Sequence, residues 1–286
     1  MKFAVLLFVA GTLVAASPTN FTIASRQDPA DLMIFVCDQM PEVCHNMCYG
    51  ALCLNIGSAL TFDNPSATDK RNRRKAAGCI ESGGNRCSVR KGHAAGFQCD
   101  EYPFASSSPR GTITDRINRC VPAGENSKQG GIINAFYRAS FCKGGPCDFN
   151  VEFSNAGNIA PCQMDCTDSD NEIIGPGSGT PAQDGDEADD GTDDDGGNPE
   201  PTGTSKKKRV VTGARHHYLT SSGVEIDIRG IARIGQRAVT VVARNTTLWD
   251  EQAKSHAYDD ENDESQYDYM LPNLEVRDDV IIAELS

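Results

Sequence analysis

The cysteines constrain this chain more than any other feature of its sequence. All twelve lie between Cys37 and Cys166, and their number is even. Behind a secretory leader, this pattern predicts a framework of up to six disulfides, whose pairing the sequence does not reveal. Zinc is the competing interpretation, for example around Cys44, His45, Cys48 and Cys53, but an oxidising route favours disulfides.

The amino terminus predicts export. An apolar run, Phe3 to Ala16, follows Lys2 and ends in small residues. It indicates a signal peptide over residues 1–16 and a secreted, extracellular protein. Because the run is shorter than about 18 residues, we expect no membrane anchor. Asn20 and Asn245 lie in glycosylation sequons, which predicts a glycoprotein.

Charge and composition divide the rest of the chain. Of the net charge of −13, much lies in residues 167–205, which contain twelve acidic residues and no lysine or arginine. We therefore predict a folded domain over residues 30–166, a disordered acidic linker over 167–209 and a β-rich extension over 210–286. The linker ends in the basic run Lys206–Arg209, a candidate site for a processing protease. Cleavage after Arg209 would make the extension a candidate pro-segment or inhibitor.

Hydrophobic periodicity predicts mixed α and β structure. In the extension, Val224 to Ile228 and Ala238 to Val242 predict a small hairpin or sheet, and the acidic last thirty residues are expected to be loose. In the cysteine-rich part we expect helices at 31–54, 66–77 and 125–138, and strands at 96–100, 111–121 and around Phe149 to Phe153.

Two short segments carry the candidate chemistry. Asp100 and Glu101 lie on an apolar stretch that Pro103 ends, and Glu125 and Asn126 begin the third predicted helix. Hydrolysis of a phosphodiester needs a base that deprotonates water and a cation that neutralises the charge developing on the phosphate. It also needs a geometry that holds water, phosphorus and leaving group in line. Acidic and amide oxygens suit Mg²⁺ or Mn²⁺.

The residues suggest specific roles. We expect Asp100 to activate water, with Glu101 as the alternative base. Glu125 would bind the metal, and Asn126 would bind the metal or a phosphate oxygen. Gln129, one turn after Glu125, would orient a bound water. His93 is a less favoured rival base, since it lies in a loop among small residues.

A basic helix is the candidate DNA contact. Residues 66–77 begin with a predicted N-cap and present bases suited to non-specific phosphate binding, although a basic helix face is often merely solvated. The proposed contacts are Lys70, Arg71, Arg73 and Arg74.

Together these motifs resemble the small secreted nucleases of the NucA/NucB type. The resemblance rests on Gly96-Phe97 before Asp100-Glu101-Tyr102-Pro103, on the basic segment, on Glu125-Asn126 before a Gly-rich helix, and on the closing strand. It covers roughly residues 60–155. The chain departs from the compact bacterial form in its many cysteines, an insert at 79–95, its long extension and Tyr102 where tryptophan is frequent.

The resemblance implies an α+β, disulfide-rich, ββα-metal nuclease-like domain. It also implies a secreted, metal-dependent DNA endonuclease with little sequence selectivity, in which Asp100 is the base and Glu125 binds the metal. Two alternatives remain: a non-catalytic, toxin-like binding protein, and a ribonuclease on the same scaffold. Asp100-Glu101 could also be only a surface turn, and Glu125 could simply favour a helix amino terminus.

Overall fold

The computed structural model describes residues 30–81, 84–110, 115–139, 142–143, 145–167, 172–174, 216–228, 232–255 and 272–285. The helices are α1 (Pro41–Cys48), α2 (Ala67–Ala76), α3 (Ala123–Arg138) and α4 (Thr246–Ser255). The strands are β1 (Asp31–Val36), β2 (Ala59–Phe62), β3 (Ile80–Glu81), β4 (Gly84–Asn85), β5 (Phe97–Tyr102), β6 (Ser107–Pro109), β7 (Arg116–Pro122), β8 (Cys147–Ser154), β9 (Glu172–Ile174), β10 (His216–Thr220), β11 (Glu225–Ile228), β12 (Arg237–Ala243) and β13 (Leu274–Leu285).

A large mixed sheet spans both ends of the chain. Its order is β11-β10-β13-β12-β1-β8-β2-β6. The central strand β1 pairs in parallel with β12 on one side and with β8 on the other. The extension therefore contains β structure, as predicted, and its strands complete the sheet that β1 begins.

A second sheet carries the candidate chemistry. It has the order β5-β7-β9, and β5 and β7 are antiparallel. Helix α3 follows β7 directly and packs on both sheets, so that Ile132 and Phe136 share one buried core with Tyr102 of β5 and Val239 of β12. The mixed α+β, disulfide-rich fold is confirmed.

All twelve cysteines are paired, which confirms the predicted framework. The pairs are Cys37–Cys44, Cys48–Cys162, Cys53–Cys166, Cys79–Cys99, Cys87–Cys120 and Cys142–Cys147. The zinc interpretation is wrong, because Cys44, Cys48 and Cys53 each form a disulfide with a different partner.

The helix predicted over residues 31–54 is wrong in its first part. Residues Asp31–Val36 form strand β1, and the α-helix begins only at Pro41. Strand β1 lies in the middle of the sheet and is buried on both faces: Met33 and Phe35 face one core, Leu32 and Ile34 the other. A strand buried on both faces is apolar at every position, so its sequence has no period of two to separate it from a helix.

Two predictions of irregular structure are also corrected. Glu172–Ile174, inside the predicted linker, form β9 and pair with β7. The last residues form the twelve-residue strand β13. Its acidic side chains have cross-strand partners: Asp278 pairs with Arg237, and Asp279 accepts hydrogen bonds from two serine hydroxyls.

The other predicted elements agree with the structure in type. Helix α2 begins after Ser66, whose hydroxyl accepts a hydrogen bond from the Asp69 N–H in a capping box. The remaining strands and α3 lie within a few residues of their predicted bounds. The predicted signal peptide, Asn20, residues 111–114, residues 175–209 and the basic run before Arg209 lie outside the described residues. Among the described helices, none has the length and apolarity that a membrane span requires.

Candidate active site

Strand alternation separates the two adjacent carboxylates. Strands β5 and β7 place Asp100 opposite Arg119. Because successive side chains of a strand point to opposite faces, Asp100 shares its face with Gln98, while Glu101 shares the other with Cys99.

Asp100 lies in a dry environment. It is only 2% exposed. Asn46 of α1 donates through Nδ2 to the Asp100 carboxylate at 2.9 Å and to its backbone carbonyl at 3.0 Å. Burial raises the pKa of Asp100 well above its usual value; the Asn46 hydrogen bond opposes this rise, and the negative charges of Glu101 and Glu125 add to it.

Glu125 lies in the first turn of α3 and faces the start of α1. Its Oε2 accepts hydrogen bonds from the backbone N–H groups of Glu42 at 2.9 Å and Val43 at 3.3 Å. A carboxylate at this position caps free N–H groups and complements the helix dipole. Burial raises the pKa of Glu125, and the two N–H groups partly oppose the rise. Since its charge acts on Asp100, the structure brings the two predicted carboxylates into one neighbourhood.

Asn126 and Gln129 complete this neighbourhood from α3. Asn126 donates through Nδ2 to Gln98 Oε1 at 3.0 Å. The Gln129 amide approaches Asp100 closely enough to lower its pKa, yet its Nε2 is buried without a hydrogen bond of ordinary geometry among the described residues. We name the group formed by Asp100, Asn46, Glu125, Asn126 and Gln129 the Asp100 cluster.

Glu101 has separate contacts. Its Oε1 accepts a hydrogen bond from the Ala105 N–H at 3.1 Å and lies 3.6 Å from Arg74 Nε. It lines a small cleft of about 60 Å³ beside α3, whereas Asp100 does not. Asn126 and Gln129 line this cleft too, so α3 connects it to the Asp100 cluster.

Of the four basic residues predicted to bind DNA, only Arg74 lines the cleft. Arg73 instead forms an ion pair with Asp63 and donates to the Ala105 carbonyl at 3.2 Å. Arg71 is exposed and Lys70 is half-buried on the same helix. Helix α2 thus directs Arg74 into the cleft and places Lys70 and Arg71 outside it.

The rival base His93 lies beside a disulfide. Its Nε2 is 3.8 Å from Cys120 Sγ. Cys120 alternates with Arg119 along β7, so this contact lies on the face opposite Asp100. His93 is therefore not part of the Asp100 cluster.

Sequence reasoning missed two contributors from α1 and β7. Asn46 is fully buried among apolar neighbours. A lone amide on the buried face of a helix was the available signal, since such a group needs a partner. Arg119 donates to Glu42 Oε2 from Nε at 3.0 Å and from Nη2 at 2.9 Å. Arg119 lies on the Asp100 face because of the register between β5 and β7, which the sequence did not specify.

The donor set fits a hard cation with few protein ligands. Asn46 Oδ1 is buried beside a carboxylate and has no hydrogen-bond partner in the described part of the chain. Carboxylate and amide oxygens are ligands for Mg²⁺, which keeps several waters and needs only one or two carboxylates. Within the described ranges, no group of three or more His, Cys, Asp or Glu side chains is placed to hold a metal.

Comparison with known proteins identifies the segment that carries this site. Residues 47–150 match the family model described as deoxyribonuclease NucA/NucB. No curated protein and no solved structure matches the chain. The matched segment contains β5, β7 and α3, and with them Asp100, Glu101, Glu125, Asn126 and Gln129; Asn46 lies just before it. Residues 47–150 therefore match the deoxyribonuclease NucA/NucB family that the motifs around Asp100 and Glu125 resemble.

Proposed function

We propose that this protein is a secreted, divalent-metal-dependent endonuclease that hydrolyses DNA with little sequence selectivity, and that the Asp100 cluster is its catalytic centre. The observation that carries the proposal is the buried Asp100 carboxyl, held by Asn46 within range of the Glu125 charge, inside the segment of the family match. Buried carboxyl groups with a raised pKa, next to unsatisfied polar atoms, are typical of active sites.

Asp100 is the proposed general base. A carboxyl group whose pKa is raised is a stronger base once it is deprotonated, and enzymes raise carboxyl pKa values by burial for this purpose. Gln129 lies between Asp100 and the cleft, where its amide would orient the attacking water. Glu101 is better explained as a positioning residue, because its Oε1 is occupied by Arg74 and Ala105.

Glu125 and Asn126 are the proposed ligands of Mg²⁺ or Mn²⁺, and Asn46 Oδ1, on the side chain that binds Asp100, is a candidate third oxygen. When bound, such a cation supplies positive charge to the phosphate oxygens as the bond breaks. Backbone N–H groups at the start of α1 hold the Glu125 carboxylate in place. Gln98 holds the Asn126 amide by a hydrogen bond.

Low selectivity follows from the kind of contact proposed. The candidates for DNA binding are Arg74 in the cleft and Lys70 and Arg71 on α2. Contacts of basic side chains to phosphates position DNA without reading its bases. Secretion is supported by six disulfides, which persist in oxidising compartments.

The test is plasmid nicking by the purified full-length secreted protein. We expect cleavage in Mg²⁺ or Mn²⁺, loss of cleavage in EDTA and loss in Glu125→Gln. Asn72→Ala, an exposed change on α2, is the matched control and should cleave normally. An RNA substrate in the same buffer tests the ribonuclease alternative. Absence of cleavage with every divalent ion would favour the non-catalytic alternative, and full activity in Glu125→Gln would reject its assignment.

A further inference from the structure

Helix α1 holds the two carboxyl groups to which we assign the base and metal-ligand roles. Backbone N–H groups of its first turn donate to Glu125 Oε2, and Asn46, one turn later, donates to the Asp100 carboxylate. Met40, the residue before the helix, makes no side-chain capping bond, so Glu125 supplies the cap. The position of α1 therefore determines where both carboxyl groups lie.

Arg119 fixes the first turn of this helix. From β7 it donates to Glu42 Oε2, at 3.0 Å from Nε and at 2.9 Å from Nη2. The Arg119 side chain is only 11% exposed, whereas the Glu42 side chain is 43% exposed. Because a guanidinium is planar and its donors are fixed in direction, a buried arginine holds a carboxylate in one orientation.

The contacts of α1 with the two strands close a ring. Arg119 lies opposite Asp100 in the register of β7 and β5. Glu42 and Asn46 are four residues apart, so they lie on one face of α1, and the helix packs on both strands. One contact joins Arg119 to Glu42, and the other joins Asn46 to Asp100. The helix is thus held to the strands at two points, and Glu125 is bound at the first of them.

We propose that Arg119 is a positioning residue for metal binding, which acts through Glu42 on the orientation of Glu125. This inference rests on the proposed function, in which Glu125 is a ligand of Mg²⁺ or Mn²⁺. The path is short, because the N–H group of Glu42 itself lies 2.9 Å from Glu125 Oε2. Glu42 precedes the matched segment 47–150 and Arg119 lies within it, so the family match alone does not reveal this pair.

Other roles of the pair predict different results. If it acted on the cation only through its charges, loss of Arg119 would strengthen cation binding and loss of Glu42 would weaken it. Positioning predicts weaker binding after either loss, because each leaves the first turn of α1 without its side-chain anchor. A direct contact of Arg119 with a DNA phosphate predicts weaker DNA binding and an unchanged cation affinity.

The experiment measures cation binding in the absence of DNA. The full-length secreted protein is titrated with Mn²⁺ in a calorimeter, unmodified and as Arg119→Ala, Glu42→Ala and the double variant. We expect each single change to weaken Mn²⁺ binding about 10-fold, as for other residues that orient a metal ligand. The double variant should stay within about two-fold of the single variants, because both changes remove the same contact. Asn72→Ala on α2 is the control and should bind Mn²⁺ normally.

Two further measurements separate positioning from charge and from a direct role in the reaction. Glu42→Gln keeps an oxygen that can accept the Arg119 bonds, so it should lose less Mn²⁺ affinity than Glu42→Ala. In plasmid nicking, the Mn²⁺ concentration for half-maximal rate should rise about 10-fold in Arg119→Ala. Its rate at saturating Mn²⁺ should stay within about three-fold of the unmodified rate.

Several results would overturn the proposal. They are stronger Mn²⁺ binding in Arg119→Ala, additive losses in the double variant, and equal losses in Glu42→Gln and Glu42→Ala. Unchanged Mn²⁺ affinity with weaker DNA binding would instead make Arg119 a phosphate contact. If Arg119→Ala folds poorly, the two Glu42 variants decide the question, because Glu42 is partly exposed and alanine suits a helix.

Failure here is distinguishable from failure of the proposed function. Mn²⁺ binding that is lost in Glu125→Gln but unchanged in Arg119→Ala and Glu42→Ala would keep the metal site and remove the positioning role. Absence of Mn²⁺ binding by the unmodified protein would remove the metal site itself, and the positioning role with it.

Discussion

Asn46 holds Asp100 by two hydrogen bonds from one amide nitrogen, 2.9 Å to the carboxylate and 3.0 Å to the backbone carbonyl. The bonds join α1 to β5 through two residues that are 54 positions apart in sequence. They fix both the strand and the carboxyl that it carries. Several expected outcomes depend on this contact.

The two adjacent carboxylates should differ in their effect on activity. We expect Asp100→Asn to lower nicking about 10² to 10⁴-fold, because it removes the proposed base. Glu101→Gln should lower it less than about ten-fold, since a glutamine oxygen can still accept the Ala105 N–H. Initial rates of plasmid nicking measure both. A larger loss in Glu101→Gln than in Asp100→Asn would transfer the base role to Glu101.

Stability should show the coupling between Asn46 and Asp100. Asn46→Ala leaves a buried carboxyl without its donor, which we expect to lower the free energy of unfolding by about 1 to 3 kcal/mol. In an Asp100→Ala background the same change should cost less, with a coupling of about 0.5 kcal/mol or more. Denaturant titrations of the unmodified protein, the two single variants and the double variant measure the free energies of unfolding. Asn72→Ala is the surface control. Strictly additive costs would show that the two side chains do not depend on each other.

The raised pKa of Asp100 predicts how stability changes with pH. Below the usual Asp pKa of about 4, folded and unfolded chains are both protonated and the group has no effect. As the pH rises towards the folded-state pKa, the unfolded chain loses the proton more readily, so the folded state is progressively destabilised.

Asp100→Asn removes this effect. Its melting temperature minus that of the unmodified protein should increase from about pH 4 upwards, with both measured in EDTA. Glu125 also has a raised pKa, but it is present in both proteins, so the part of its effect that does not depend on Asp100 cancels in the difference. A difference that is constant with pH would mean that Asp100 titrates normally.

Helix α4 should stabilise the fold mainly through Trp249. Trp249 is 1% exposed, belongs to the main core and lies under Lys128 Nζ of α3, 5.5 Å from its ring centroid. Trp249→Ala should lower the free energy of unfolding by about 3 to 5 kcal/mol. Its neighbour Leu248 is 39% exposed, so Leu248→Ala should cost about 0.5 kcal/mol or less. Equal effects in denaturant titrations would argue against docking of α4 by Trp249.

Cleavage after Arg209 should not release the extension. Strand β12 pairs with β1 along Leu32 to Ile34, and Trp249 is buried against α3, although no cysteine lies in residues 210–286. We expect a protein cut in the basic run to elute as one species in size-exclusion chromatography and to separate only in denaturant. Mass spectrometry of the secreted protein establishes whether the cut occurs. An amino-terminal fragment that elutes alone and remains folded would support a releasable pro-segment.

The sequence alone determined the elements that carry local signals. Helix α2 has a capping box at Ser66, strand β8 alternates apolar and polar residues, and the even cysteine count required pairing. The motifs around Asp100 and Glu125 identified the family, because they are short, ordered and specific. Each of these signals is contained within a few neighbouring residues.

Only the tertiary structure decided where these groups meet. Strand β1 is a strand because both of its edges pair with strands more than a hundred residues away in sequence, β8 and β12. Asp100 and Glu101 differ in role because strand alternation directs one towards Asn46 and the other towards Arg74. Such contacts depend on register and burial, which are properties of the packed chain and leave no periodic mark in the sequence.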